Sequence, residues 1–130
     1  MDFKETDESL DQIAKEIVDS AFKVHSALGP GLLEQIYESC LVKELTKRKL
    51  SVERQQVVPV FYDGELIEPG LRLDLMVGEK VIVELKAVEA LLPLHQAQLI
   101  TYLKLSGKKL GLLINFNVPV IREGIKRVIL

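Results

Sequence analysis

The chain has no tryptophan, four phenylalanines, three tyrosines and a single cysteine among its 130 residues. One thiol cannot make an internal disulfide, and Cys40 falls on the apolar stripe of a helical pattern, where it reads as a small core residue rather than a nucleophile. Excess charge of one sign is also missing: 17 Lys and Arg against 19 Asp and Glu give a net charge of −2. No global field therefore gathers nucleic acid around the molecule, and any polyanion has to be bound locally. The basic bunches KELTKRK, KLSGKK and IREGIKR read as solvated helix ends and turns. Long hydrophobic runs are absent, since VIVEL and LGLLINF are strand-sized and far short of the roughly 20 residues that span a bilayer. The opening MDFKETDESLDQ is acidic and polar, without the basic and apolar succession of a secretory signal, so a cytoplasmic protein is expected. Repeats, low-complexity tracts and linkers are lacking too. One domain over residues 9–130 is expected, preceded by a polar segment over 1–8.

What is present is ordinary globular composition, 48% hydrophobic and 28% charged, which argues against extensive disorder. Apolar residues at 10, 13, 14, 17, 21, 24 and 28 predict a first helix. Thr6, Asp7 or Ser9 would cap it, and Gly29-Pro30-Gly31 would stop it. His25, one residue off the stripe, reads as a packing or capping residue. Leu33, Ile36, Tyr37, Cys40, Leu41 and Leu45 predict a second helix, closed by Lys47, Arg48 and Lys49, which oppose the dipole. The period then changes to two. VVPVFY, Asp63-Gly64 and ELI form a hairpin whose turn needs positive φ, and Pro59 places its first strand at an edge or a bulge. LRLDLMV puts Leu71, Leu73, Leu75 and Val77 on one face and Arg72, Asp74 and Met76 on the other; VIVELKA does the same with Val81, Val83 and Leu85 against Ile82, Glu84 and Lys86. Pro93 opens a third helix to about Leu105, closed by Gly107. KLGLLINF reads as a central strand parallel to VIVELKA, and GIKRVIL as a short last strand. The expected class is α/β: a mixed central sheet flanked by helices, in the order α-α-β-β-β-α-β-β.

Glu84 and Lys86 interrupt an otherwise dry strand on one face. A three-residue turn of Gly78, Glu79 and Lys80 pairs Val77 with Val81 and so sets Asp74 across from Glu84, whereas a two-residue turn would oppose Asp74 to Val83. Two opposed carboxylates repel by a few tenths to about 1 kcal/mol unless a cation lies between them. A hard divalent ion such as Mg²⁺, with Mn²⁺ as a substitute, suits those oxygens. Lys86 on the same face could orient or deprotonate an attacking water and offset charge developing on a phosphate.

Asp followed by Glu-x-Lys on adjacent strands resembles the PD-(D/E)xK nuclease superfamily, with its restriction-endonuclease-like fold. The resemblance extends to the family of small proteins named for GxxExxY, here Gly31-Leu32-Leu33-Glu34-Gln35-Ile36-Tyr37, through YDGE, LRLDLMV, VIVELKAVE, HQAQLITYLKL and GLLINFNVPVIREGIKRVIL. It covers nearly all of the chain after residue 9. It implies Asp74, Glu84 and Lys86 as the catalytic centre and Glu34 as an acidic residue reaching the metal through water. It also implies Gln98 and Tyr102, at i and i+4, as a pair that supports the site and contacts DNA phosphate. Tyr37 could join the site or be a core tyrosine. His95 could join Gln98 or stand in solvent, and Arg72 could pair with a carboxylate or contact phosphate. Where the family often carries an aromatic and a small residue around that arginine, Leu71 and Leu73 stand here, a difference of packing and not of metal ligands.

The expected function is Mg²⁺-dependent hydrolysis of phosphodiester bonds in nucleic acid, DNA ahead of RNA. A homodimer would be needed to cut both strands of a duplex. The alternative is a catalytically silent module for nucleic-acid or protein binding, to which the mildly acidic, aromatic-poor composition and the lack of a recognition domain point. A structural ion pair of Glu84 with Lys86 is a third reading, disfavoured because buried pairs seldom stabilise a core.

Overall fold

A computed structural model describes residues 3–130, with side chains from Glu8 onward. Helix α1 (Phe3–Leu28) and helix α2 (Glu34–Lys47) precede strands β1 (Val52–Tyr62), β2 (Glu65–Val77) and β3 (Val81–Lys86); helix α3 (Pro93–Ser106), β4 (Leu110–Asn115), a 3-10 turn at Ile121–Gly124 and β5 (Ile125–Ile129) follow. The five strands lie side by side in chain order. All neighbours are antiparallel except β3 and β4, which are parallel and joined through α3. This is the α/β single domain with the expected order of elements.

The apolar periods decide the layers. Ile13, Ala14, Ile17, Ala21 and Val24 of α1 and Tyr37, Leu41 and Leu45 of α2 are buried against Leu75, Val77, Val81, Val83 and Leu85 on one side of the sheet. On the other side, Leu99 and Leu103 of α3 pack with Leu71, Leu73, Met76, Ile82 and Leu113. Each fully buried aliphatic side chain contributes about 1.5–3 kcal/mol, so the two clusters clamp the sheet between helical layers. Gly107 closes α3 with φ of 72°, the left-handed C-cap that glycine adopts without a Cβ penalty.

Several sequence expectations are corrected. Helix α1 starts at Phe3, so Thr6, Asp7 and Ser9 lie inside it instead of capping it; the side chains of Thr6 and Asp7 fall outside the described residues, and Ser9 accepts a hydrogen bond from Lys80. Leu33 and Ile36 are exposed, because α2 begins only at Glu34 and its buried stripe is Tyr37, Leu41 and Leu45. The segments ELI and LRLDLMV are one strand, not two. The pairing with β1 shifts between Val58 and Val60, so Glu68, Pro69 and Gly70 are absorbed as a bulge opposite Pro59. Gly70 permits this with φ of 80°, and a Cβ there would stand 2.8 Å from the Val58 carbonyl oxygen. Finally, the leucines of β2 do not share a face: Leu71 and Leu73 pack towards α3, Leu75 and Val77 towards α1 and α2. The change of side falls at Asp74.

Beyond Asp74 the β1–β2 hairpin leaves the sheet as an arm. Pairing of β2 with β3 covers only Leu75, Met76 and Val77, whereas β1 and β2 remain paired out to Tyr62 and Glu65. Val58 and Val60 settle the arm against the α3 cluster, and Phe61, Tyr62, Leu66 and Ile67 are exposed around its Asp63-Gly64 turn.

Candidate active site

The site forms where β2 and β3 part. Lys80 N–H donates to the Val77 carbonyl at 3.1 Å, with Gly78 at φ of 59° and Glu79 at 60°. That turn pairs Val77 with Val81, Met76 with Ile82 and Leu75 with Val83, the register the three-residue turn requires. Asp74 and Glu84 are next, and there the main-chain ladder gives way to side chains. The Asp74 N–H donates to Glu84 Oε2 at 2.8 Å, and the Leu85 N–H donates to Asp74 Oδ2 at 2.9 Å. Each carboxylate thus takes an N–H released by the separating strands. This satisfies the backbone and fixes the pair.

The electrostatics follow from that placement. Burial pushes the Glu84 carboxyl up to about 8, helped by the charge of Asp74 and, more weakly, of Glu34; the Asp74 N–H and the Lys86 ammonium oppose it. Burial also raises Asp74, aided by Glu38 and opposed by the Leu85 N–H, by Lys86 and by a hydrogen bond from Gln55. At neutral pH and without a cation Glu84 accordingly holds its proton. Two neighbouring carboxyls both raised by burial are the arrangement expected where charge is to be supplied or taken up in function.

Lys86 is half-buried at the end of β3, and its charge acts on both carboxyls. The chain leaving it is tied by Asn115, a buried residue of β4 that pairs with Lys86 in the sheet. Asn115 Oδ1 accepts from the Val88 N–H at 3.1 Å and its Nδ2 donates to the Val88 carbonyl at 2.9 Å. Tyr102 on α3 has its hydroxyl pushed up by burial and then by the charges of Glu84 and Asp74, which places the phenol in the field of the pair.

On the opposite flank a cavity of about 410 Å³ is lined by Glu34, Gln35, Glu38, Ser39, Arg54, Gln55, Asp74 and Leu85. Glu34 lies in the first turn of α2, and Glu38 follows one turn later on the same helix face. Glu38, Gln55, Arg54 and Asn115 were not singled out from sequence. The signals for Glu38 and Asn115 were weak but present: an i+4 repeat of Glu34, and a lone amide in the otherwise apolar LGLLIN.

Other sequence candidates stand elsewhere. Tyr37 is fully buried and stacks on Phe116 with ring centroids 4.5 Å apart. Its hydroxyl donates to the Gly29 carbonyl at 2.6 Å and accepts from the Leu32 N–H at 3.1 Å, so it pins the Gly29-Pro30-Gly31 loop and not the carboxylate pair. Tyr37→Phe is expected to cost about 1–3 kcal/mol by leaving both loop groups without their partner, measured by urea unfolding; unchanged stability would contradict that role. His95 Nδ1 accepts from the Leu92 N–H at 3.0 Å, closing the start of α3. Gln98 and Arg72 are exposed. His25 is buried, with Nε2 2.7 Å from the Val118 carbonyl oxygen.

Among the described residues no three His, Cys, Asp or Glu side chains are gathered closely enough to hold a metal by themselves. The donor set is two carboxylates with their neighbours, and it fits a small hard cation: Mg²⁺ keeps several of its waters and is commonly bound through one or two carboxylates. Residues 11–128 match the family model of the PD-(D/E)XK nuclease superfamily. The chain belongs to that superfamily. No curated protein and no solved structure gives a significant match. No helix among the described residues is long and apolar enough to cross a membrane.

Proposed function

We propose that the protein is a divalent-metal-dependent phosphodiesterase that hydrolyses nucleic acid, DNA in preference to RNA, within the GxxExxY branch of the superfamily. The supporting observation is the reciprocal exchange at the splayed strand ends, where Asp74 and Glu84 each accept the N–H freed beside the other. That exchange holds two carboxylates at fixed spacing beside an ammonium, at a cost in burial that a purely structural pair would not repay.

Asp74 and Glu84 would hold Mg²⁺ or Mn²⁺, with Glu34 contributing from α2. Such an ion, when bound, supplies Lewis-acid polarisation of the phosphoryl group and offsets its charge. The chain's own residues do the rest. Lys86 orients the attacking water and stabilises negative charge on the non-bridging oxygens as it builds. Tyr102, and Gln98 one turn before it, steady the phosphate backbone from α3, and Arg72 contacts phosphate from β2. A centre of this kind cuts one strand at a time, so duplex cleavage requires two copies acting together. The working environment fitting this activity is the cytoplasm.

Purified protein is expected to nick supercoiled plasmid DNA with Mg²⁺ or Mn²⁺ and to stop when a chelator is added. Salt-sensitive DNA binding without turnover, unchanged by either ion, would instead support the silent binding module.

A further inference from the structure

The proposed chemistry leaves two features beside Asp74 unused. The first is in β1, where Gln55 has φ of 52°, a left-handed conformation that a residue with a Cβ keeps only when its surroundings impose it. Arg54 pairs with Leu75 and Gln56 with Leu73, so Gln55 stands opposite Asp74 but has turned out of the ladder. Its Nε2 donates to Glu38 Oε1 at 2.8 Å, and its amide also hydrogen-bonds Asp74. The second is its neighbour Arg54, which places Nε at 3.2 Å and Nη2 at 2.9 Å from the other oxygen, Glu38 Oε2. Both oxygens of Glu38 are thereby taken by donors from β1. The carboxylate nevertheless lines the same cavity as Asp74 with only 12% of its side chain exposed.

We infer that Arg54 and Gln55 are positioning residues that clamp Glu38 away from the cation, and that this clamp sets the preference of the site for Mg²⁺ over Ca²⁺. The inference rests on the cation site proposed above. Ca²⁺ gathers six to eight oxygens and gains from each added carboxylate, whereas Mg²⁺ keeps its waters and needs one or two. Glu34 and Glu38 lie one turn apart on α2 and line the cavity that Asp74 also lines, so releasing Glu38 would give that cavity one more free carboxylate. The charge of Glu38 is already felt at Asp74. A guanidinium and an amide placed one on each oxygen are the simplest way for a fold to keep such an acid nearby and still withhold it.

The test is calorimetric titration of Mg²⁺ and Ca²⁺ into the full chain, with no DNA present. Arg54→Met removes one donor group. Gln55→Gly removes the other, together with its hydrogen bond to Asp74, and relieves the positive φ, so this variant cannot fail through backbone strain; the part of its effect that passes through Glu38 is the part that Glu38→Gln abolishes. Each is expected to raise Ca²⁺ affinity about tenfold relative to Mg²⁺, and adding Glu38→Gln should erase the gain, as a double-mutant cycle reads it. A wild-type protein that binds Mg²⁺ while both variants keep its Mg²⁺ to Ca²⁺ ratio would overturn the clamp and leave the nuclease proposal standing. A gain that survives Glu38→Gln would overturn it as well. A wild-type protein that binds neither ion would overturn both.

Discussion

Lys86→Ala is expected to lower the rate of plasmid nicking by about 10²–10⁴-fold, the range that a positioned proton-transfer or charge-stabilising group commands, while leaving the protein folded. The separation of effects comes from where Lys86 sits. It is at the last position of β3, after the pairs that join β3 to β2, and it is half-buried with no salt bridge to it among the described residues. Truncating it therefore removes little packing, while the Asn115 bonds to Val88 and the bond from Phe116 N–H to the Lys86 carbonyl at 2.9 Å keep the chain in place. The same positive charge currently lowers both Asp74 and Glu84, and it would repel a bound cation. Divalent-ion affinity of the variant should accordingly hold or rise as activity falls. Single-turnover cleavage together with calorimetry reads both quantities. Full activity in Lys86→Ala would remove the lysine from the chemistry, and loss of ion binding would show that it acts on the structure of the site.

How far the sequence reaches is visible around this same residue. The opposition of Asp74 to Glu84 could be counted from the turn, because the two-residue side-chain period and the length of a connection together fix register. The helical stripes of α1 and the cap of α3 were legible for the same local reason: a period or a glycine states them. What was hidden depends on contacts distant in the chain. Leu71, Leu73, Leu75 and Val77 alternate as if on one face, yet the strands separate at Asp74 and the first two leucines follow α3. Nothing local records that parting. Gln55 looks like one of two adjacent glutamines in a polar edge strand; only Glu38 on one side and Asp74 on the other explain its left-handed backbone. Tyr37 carried the opposite ambiguity. Its helical spacing fitted core and site equally, and its ring stack on Phe116, 79 positions away by number, decides for the core.

Glu84→Gln is expected to stabilise the chelator-treated protein at pH 8. The folded state lifts the Glu84 carboxyl from an ordinary 4.5 to about 8, chiefly by burial. Between those two values the unfolded chain has released a proton that the folded chain still holds. Stability therefore falls as pH rises through that window, and the loss is complete above about 8. The full gap corresponds to a ceiling of about 5 kcal/mol at 1.36 kcal/mol per pH unit, which solvent access and relaxation reduce to roughly 1–3 kcal/mol in the measured difference. Glutamine is neutral and keeps a carbonyl oxygen to accept the Asp74 N–H that Glu84 Oε2 now takes at 2.8 Å, so the variant escapes the cost and retains the bond. Urea unfolding from pH 5 to pH 9 should show a declining wild type and a flatter variant, with the variant ahead at the alkaline end. Saturating Mg²⁺ should reverse that order, because a cation that binds the folded state stabilises it by mass action and the variant has surrendered one of its two carboxylates. A variant less stable than wild type in chelator at pH 8 would mean that Glu84 belongs to a structural ion pair with Lys86. A wild type unmoved by Mg²⁺ would mean that the buried charge exists for something other than a metal.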